Sequence, residues 1–383
     1  MSILVLIILF AIAQGVFLGI IMLTINRGNR RANRVWGVLM ILTGYSILPV
    51  VMVSADLIQY YPHLYLTGHP VLFLFGPFFM LYTIYLTDIT FKLKLIHCLH
   101  LMPFVLYMII LSPILALSSE DKIAMINSTD SSGMSAEIIV SVLIIAHVYI
   151  YLFFINRIIN RYDKKIKNSF SSLDKINLIW LRRSVYSMAI IFGAMMSIII
   201  LAMNIGVPIW NSDYHLIIPF LVAFVLYYDT YKTIRQPELY IGVEDSENAK
   251  RYEGSSLTEV KALDYRDKLL EFMKTEKPYK ESNLTIKNLA IKVKIPSYYI
   301  SQIINDKLNQ NFFDFINRYR IEETKEMFKD PRYENYSILA IAYEAGFNSK
   351  SVFNSSFKKY TGMTPSQYRQ HTTGDDDEIK HAS

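Results

Sequence analysis

The chain has one cysteine, Cys98, so neither a disulfide framework nor a thiolate metal cage can be built within it. Its eight histidines are scattered, and none stands at metal-ligand spacing from Cys, Asp or Glu, so no metal and no cofactor is expected. There is no P-loop, no nucleophile elbow, no HExxH and no paired carboxylates in an apolar run, and the expectation is a protein that is not an enzyme. Charge is also scarce, but only in one half. Residues 1–230 are dominated by Ile, Leu, Val, Phe, Met and Tyr in runs too long for a soluble core, whereas residues 231–383 have ordinary globular polarity.

A membrane span needs about 20 mainly apolar residues to cross a hydrocarbon core of about 30 Å. Seven segments qualify: 3–24, 35–54, 70–88, 95–117, 137–156, 184–207 and 213–230. Backbone polar groups in lipid must bond within their own segment, so each is expected to be a helix. The first run has no Lys or Arg before it and continues past Ala13, so it reads as a span and not as a cleaved signal peptide. The connecting segments alternate in charge. Arg27, Arg30, Arg31 and Arg34 follow the first span, Lys92 and Lys94 the third, and eight cations from Arg157 to Arg183 the fifth; the alternate connections carry only Lys122. The positive-inside rule then puts the N-terminus outside and residues 231 onward in the cytoplasm. The connections 55–69 and 118–136 are short, which leaves no separate outer sensor domain, so a small-molecule or membrane signal would have to act on the helices, these loops or the lipid.

Three intramembrane residues invite a signal or packing role. Gly15 and Gly19 form a GxxxG pair, which lets helices approach closely, either within the bundle or across a homodimer. His147 lies mid-span, where a polar side chain serves a signal contact or a bond to a neighbouring helix. Beyond the last span, Gln236-Pro237 ends the helix, and residues 232–261 read as a linker. Its 238–260 stretch is rich in Gly, Ser, Asn and acidic residues, and a flexible chain of about 23 residues spans roughly 25–30 Å. Asp375-Asp376-Asp377-Glu378 mark 372–383 as an acidic tail.

Residues 262–371 carry helical periodicity throughout, with 19 Lys+Arg against 13 Asp+Glu between 261 and 370. Two helix-turn-helix motifs follow one another. In the first, Thr285 caps a helix over 286–293, a turn follows at Lys294-Ile295-Pro296, and a reading helix runs over 297–307. A long amphipathic helix over 312–329 ends at Asp330-Pro331. In the second, Ser337 caps a helix over 338–344, Gly346 supplies the tight turn, and the reading helix runs over 350–360 around Phe347, Phe353 and Phe357. Early residues of a reading helix reach base edges in the major groove, so Tyr298, Ser301, Gln302, Lys350, Ser351, Asn354 and Ser355 are the expected base readers. Thr285, Ser297, Ser349, Lys358, Lys359 and Arg369 suit phosphate. The partner is then double-stranded DNA read at two adjacent major-groove faces about 10 base pairs apart.

The ordered set Gly346-Phe347, Ser351, Phe353, Phe357-Lys358-Lys359, Gly362, Thr364-Pro365 and Tyr368-Arg369 resembles the DNA-binding domain of AraC/XylS-type transcription factors. Arg31-Ala32-Asn33-Arg34, Leu74-Phe75-Gly76-Pro77-Phe78 and Arg235-Gln236-Pro237 look like a subgroup of that family with a polytopic N-terminal domain. The resemblance implies an all-α protein of the inner or cytoplasmic membrane, with a transmembrane helical domain over 1–231 and a cytoplasmic tandem helix-turn-helix domain that reads promoters and works with RNA polymerase. One departure is Lys294, where the family usually has glycine; a positive φ there would carry strain. The rival reading is a transporter or channel with a cytoplasmic helical sensing module, against which stand the near absence of charge in the spans and the lack of an inverted repeat.

Overall fold

A computed structural model describes residues 3–26, 28–127, 131–174, 176–205, 217–235 and 258–371, with the side chains of 131–137 and 202–205 left aside. The fold is all-α: among the described residues there is no strand, only one antiparallel bridge between Phe170 and Thr285. The chain divides into two compact units. The first comprises Met1–Arg161 and Leu178–Ile241, and the second comprises Tyr162–Asn177 and Gly242–Ser383. Division by sequence leaves 162–177 with the apolar half; the structure groups that segment with the helix-turn-helix half. The linker stretch 236–257 and the acidic tail lie outside the described residues.

The first unit is built from α1 (Ile3–Thr24), α2 (Arg30–Ser54), α3 (Gly68–Thr87), α4 (Met102–Leu115), the short α5 (Ser119–Asn127), the greater part of α6 (Ser131–Lys167), α7 (Ile179–Ile205) and α8 (Ile217–Arg235). Among the described residues, seven helical segments are long and apolar enough to cross a membrane, by length and composition. Each overlaps one of the seven expected spans; the third begins early, with a 3-10 turn at Pro62–Leu64, the fourth opens at its expected start with one at Leu95–Leu101, and the expected 206–207 and 213–216 lie outside the described residues. α2 is started by Asn29, whose side chain accepts from the Arg31 and Ala32 N–H groups and donates to the Tyr85 carbonyl at 2.6 Å. α1 and α2 cross at Gly19 and Gly37, where a Cβ on Gly37 would sit 2.6 Å from the Gly19 carbonyl oxygen. Any larger residue at that crossing would push two backbones apart.

The second unit holds α9 (Glu259–Thr275), α10 (Ile286–Val293), α11 (Ser297–Gln302), α12 (Phe312–Lys329), α13 (Ile338–Glu344) and α14 (Lys350–Thr361). Two apolar cores form, one per motif. The first gathers Leu269, Met273, Leu289, Ile300, Ile303, Ile304 and Phe312; the second gathers Ile321, Ile341, Ala342, Phe347, Phe353 and Phe357. α12 gives Phe312, Phe315 and Ile316 to the first core and Ile321, Met327 and Phe328 to the second, so one amphipathic helix seeds both.

Candidate nucleic-acid interface

The second motif forms as its sequence dictates. Ser337 caps α13 by accepting from the Ala340 N–H at 3.1 Å. Gly346 stands at φ +101°, and a Cβ there would lie 2.4 Å from the Tyr279 carbonyl oxygen, so glycine is needed both for the turn and for the approach of the two motifs. Ser349 starts α14, its hydroxyl accepting from the Val352 N–H. Gly362 ends the helix at φ +76°, its N–H donating to the Lys358 carbonyl. Phe353 and Phe357 turn inward, and Lys350, Ser351, Asn354 and Ser355 lie exposed along the opposite side. These four residues share one accessible face of a helix fixed at both ends.

The first motif is less regular. Thr285 caps α10 by accepting from the Asn288 N–H at 3.2 Å. Lys294 occupies the turn at φ +58°, so the left-handed conformation is adopted by a residue with a Cβ. The reading helix is not one continuous α-helix over 297–307: α11 ends at Gln302 and a π-wound turn spans Ile303–Lys307. Ile303 and Ile304 are both fully buried, and widening the turn keeps both in the core. Gln302 is exposed, while Ser297, Tyr298 and Ser301 are half-buried; Tyr298 packs on the first core and Ser301 accepts from the Asn305 side chain.

The positions assigned to phosphate divide as well. Lys358 is exposed, with no ion-pair partner among the described residues. Lys359 is paired with Asp314 at 2.7 Å. Arg369 is half-buried and turned back onto its own unit, its guanidinium donating to the carbonyls of Glu334 (2.6 Å), Tyr336 (2.7 Å) and Tyr333 (3.2 Å) and lying over the Phe328 ring. The carbonyls of the turn after α12 need donors, and the long arginine supplies them, which makes Arg369 a brace at this position.

Sequence reasoning missed the polar groups behind this surface. Arg320 is 1% exposed, and its guanidinium bonds only to oxygens of carbonyl, amide and hydroxyl groups, with no carboxylate partner among the described residues. Burial pulls it down to about 10. Glu323 is a second hub. Burial would raise its carboxyl, but hydrogen bonds from Lys280, Lys277 and Tyr279 outweigh that and hold it at about 2. The helical spacing of Arg320 and Glu323 on α12 gives their faces, but nothing in the spacing names their partners.

In the first unit, Gly15 and Gly19 are buried against other helices of the same unit, Gly15 at the Tyr227 side chain and Gly19 at α2. His147 packs edge-on against Phe73 and beside Tyr151, and neither ring nitrogen has a hydrogen-bond partner among the described residues. A buried polar set was not anticipated: Asp229 accepts from the Ser184 hydroxyl, the Trp36 indole donates to the Thr230 hydroxyl at 2.7 Å, and Tyr82 bonds Thr233 at 2.5 Å. Asp229 is fully buried, and one carboxylate oxygen has no hydrogen-bond partner among the described residues.

A family model described as a helix-turn-helix domain matches residues 289–371. This C-terminal part is an AraC-type helix-turn-helix domain. The melibiose operon regulatory protein of Escherichia coli K12 is similar, 38% identical over 87 residues, covering 23% of this chain and 28% of that protein. The transcriptional regulatory protein HptR of Staphylococcus aureus NCTC 8325 is 30% identical over 88 residues, covering 23% and 33%. The chain therefore covers a third or less of the length of these curated relatives. A solved structure of a Listeria innocua protein of unknown function is 27% identical over 27% of this chain and 93% of that one, with a TM-score of 0.24, too low to bear on the fold.

Proposed function

We propose that the protein is a one-component transcription regulator embedded in the cytoplasmic membrane, which binds promoter DNA through its two helix-turn-helix motifs and answers to a signal at the membrane. The observation that carries this reading is the exposed row Lys350, Ser351, Asn354 and Ser355, held on a helix capped at both ends, in the same chain as seven helices long enough to span a bilayer. Asn pairs with adenine and Lys with guanine in the major groove, and Ser serves either base. Two relatives that share the AraC-type domain are named as regulators, one of an operon. The charge alternation of the connections supports a cytoplasmic AraC-type domain. RNA polymerase is the downstream partner in this reading. The intramolecular burial of Gly15 and Gly19 favours packing within the bundle over a homodimer contact at that pair.

The test is chromatin immunoprecipitation of the tagged full chain with membrane fractionation of the same cells. Discrete peaks from an intact, membrane-bound species are expected. Peaks arising only from a short soluble fragment would replace direct reading by proteolytic release, and an absence of peaks across growth conditions would reject DNA reading.

A further inference from the structure

Between α6 and α7 the chain runs through the second unit, and there it makes bonds that reach both helix-turn-helix motifs. The Ile286 N–H donates to the Ser169 carbonyl at 3.0 Å, and the Ser171 N–H donates to the Leu284 carbonyl at 3.2 Å, forming a short antiparallel pairing around Phe170 and Thr285 at the start of the first motif. The Ser171 hydroxyl also donates to the Leu284 carbonyl, at 2.7 Å, and Ser171 is fully buried. One residue on, the Ser172 hydroxyl donates to the Asn348 side-chain carbonyl at 2.9 Å, in the turn of the second motif. Asn348 itself donates to Asn283 of the first motif at 3.2 Å.

Arg320 of the connecting helix closes the arrangement. Its Nε donates to the Tyr279 carbonyl, one Nη to the Ser171 carbonyl and Asn317, and the other Nη to the Ser171 hydroxyl and to the carbonyls of Glu281 and Ser282. Two of the acceptors of this buried guanidinium thus belong to Ser171. Removing them leaves donors unmet at the seam where the two motifs touch.

We infer that residues 169–172 are a strap that sets the mutual orientation of the two helix-turn-helix motifs and thereby their tandem binding of DNA. The inference rests on the DNA-reading function proposed above. Two reading helices on one chain engage adjacent major-groove faces only in one relation to each other. A strap bonded to both motifs and to the helix between them fixes that relation before DNA arrives, which raises affinity by preorganisation. Asn348 immediately precedes Ser349 and Lys350, so the strap acts at the foot of the more regular reading helix. In the chain the strap follows α6 and precedes α7.

The test uses the full chain in native membranes with Cys98→Ser as background. The pair Ser172→Cys with Asn348→Cys should form an intramolecular disulfide under mild oxidation, seen as a mobility shift reversed by reductant. Ser172→Cys with Asn354→Cys, on the exposed face, should not. Chromatin immunoprecipitation then reads the consequence. Ser171→Pro, which removes the N–H and the hydroxyl together, should lower enrichment at wild-type sites at least tenfold at equal membrane level. Ser171→Ala, which keeps the backbone pairing, should lower it less, and the locked disulfide should retain wild-type enrichment whatever the fate of the proline variant. Failure of the Ser172–Asn348 disulfide overturns the strap and leaves DNA reading standing. Equal or higher enrichment for Ser171→Pro, or loss of enrichment on locking that reductant restores, also overturns it. Cross-linking of the Ser172→Cys/Asn348→Cys chain together with no genomic fragment enriched by the wild-type chain overturns the function and the inference together.

Discussion

The two helix-turn-helix motifs solve the same local problems with different residues. At the turn, the second has Gly346 at φ +101°, whereas the first has Lys294 at φ +58°. A residue with a Cβ in the left-handed region costs roughly 1–2 kcal/mol, so the first motif holds its turn against its own backbone preference. The second reading helix is regular from Ser349 to Gly362, while the first gives way to a π-wound turn after Gln302. The second presents four exposed polar residues, and the first presents Gln302 with Tyr298 and Ser301 half-buried. Tandem motifs within one domain are therefore unequal in construction, and the unequal construction ranks their expected shares of base reading.

The sharpest way to break this comparison is at the turn glycine. Gly346→Val puts side-chain atoms against the Tyr279 and Lys280 backbone in a conformation valine resists, and the second motif should lose about 3 kcal/mol or more. Hydrogen exchange of the α14 amides in the full chain measures it. Gly362→Ala is the control: its φ is also positive but no atom lies within 4 Å, so only about 1–2 kcal/mol is at stake. Equal effects at the two positions would remove the close-approach argument.

Next in size is base reading. Asn354→Ala should weaken binding to a fragment recovered by immunoprecipitation by about 1–3 kcal/mol, and Gln302→Ala by less. A larger loss at Gln302 would invert the ranking of the motifs.

A smaller effect separates Glu323 from the reading surface. With its carboxyl held at about 2, against a usual value of 4.5, Glu323 stabilises the second unit above the usual value, and that contribution is lost as pH falls through about 2. Acid unfolding of wild type and Glu323→Gln should show the variant less stable near neutrality and the difference closing between about pH 4.5 and 2. A constant difference across that window would assign the stabilisation to shape and not to charge.

Smallest of all, Lys294→Gly should relieve the first turn. The relief is offset by the greater freedom of glycine in the unfolded chain, roughly 0.5–1 kcal/mol, so the net gain should stay below about 1.5 kcal/mol. A loss of stability on thermal denaturation would mean that the Lys294 side chain, and not its backbone, matters at the turn.

The seven apolar helices and the second motif were legible because each rests on local signals: apolar runs of bilayer length, a serine before each helix, a glycine at the turn, phenylalanines at helical spacing. Lys294 was legible as an anomaly and its left-handed φ follows. The π-wound turn was not, since it depends on how Ile303 and Ile304 fit a core assembled from α9, α10 and α12. The inward turn of Arg369 and the hub at Arg320 were hidden for the same reason: their partners are mostly backbone carbonyls, which every residue has, so no side-chain pattern marks them. The strap was the least legible of all. Its sequence, Ser169-Phe170-Ser171-Ser172, reads as an ordinary polar connection between two spans, and its partners lie more than a hundred residues away.

Burial of Ser171 beneath Arg320 alters where the DNA-reading module can be said to begin. A fragment cut at the end of the linker, over 258–371, would keep every helix of both motifs and still be missing part of its own interior. Its Arg320 would face an open slot, the carbonyl of Leu284 and the N–H of Ile286 would have only water to bond, and Asn348 would lose one of its two anchors. Such a fragment should dissolve and bind less well than its sequence promises, and adding a synthetic peptide spanning 162–177 should restore part of what was cut away.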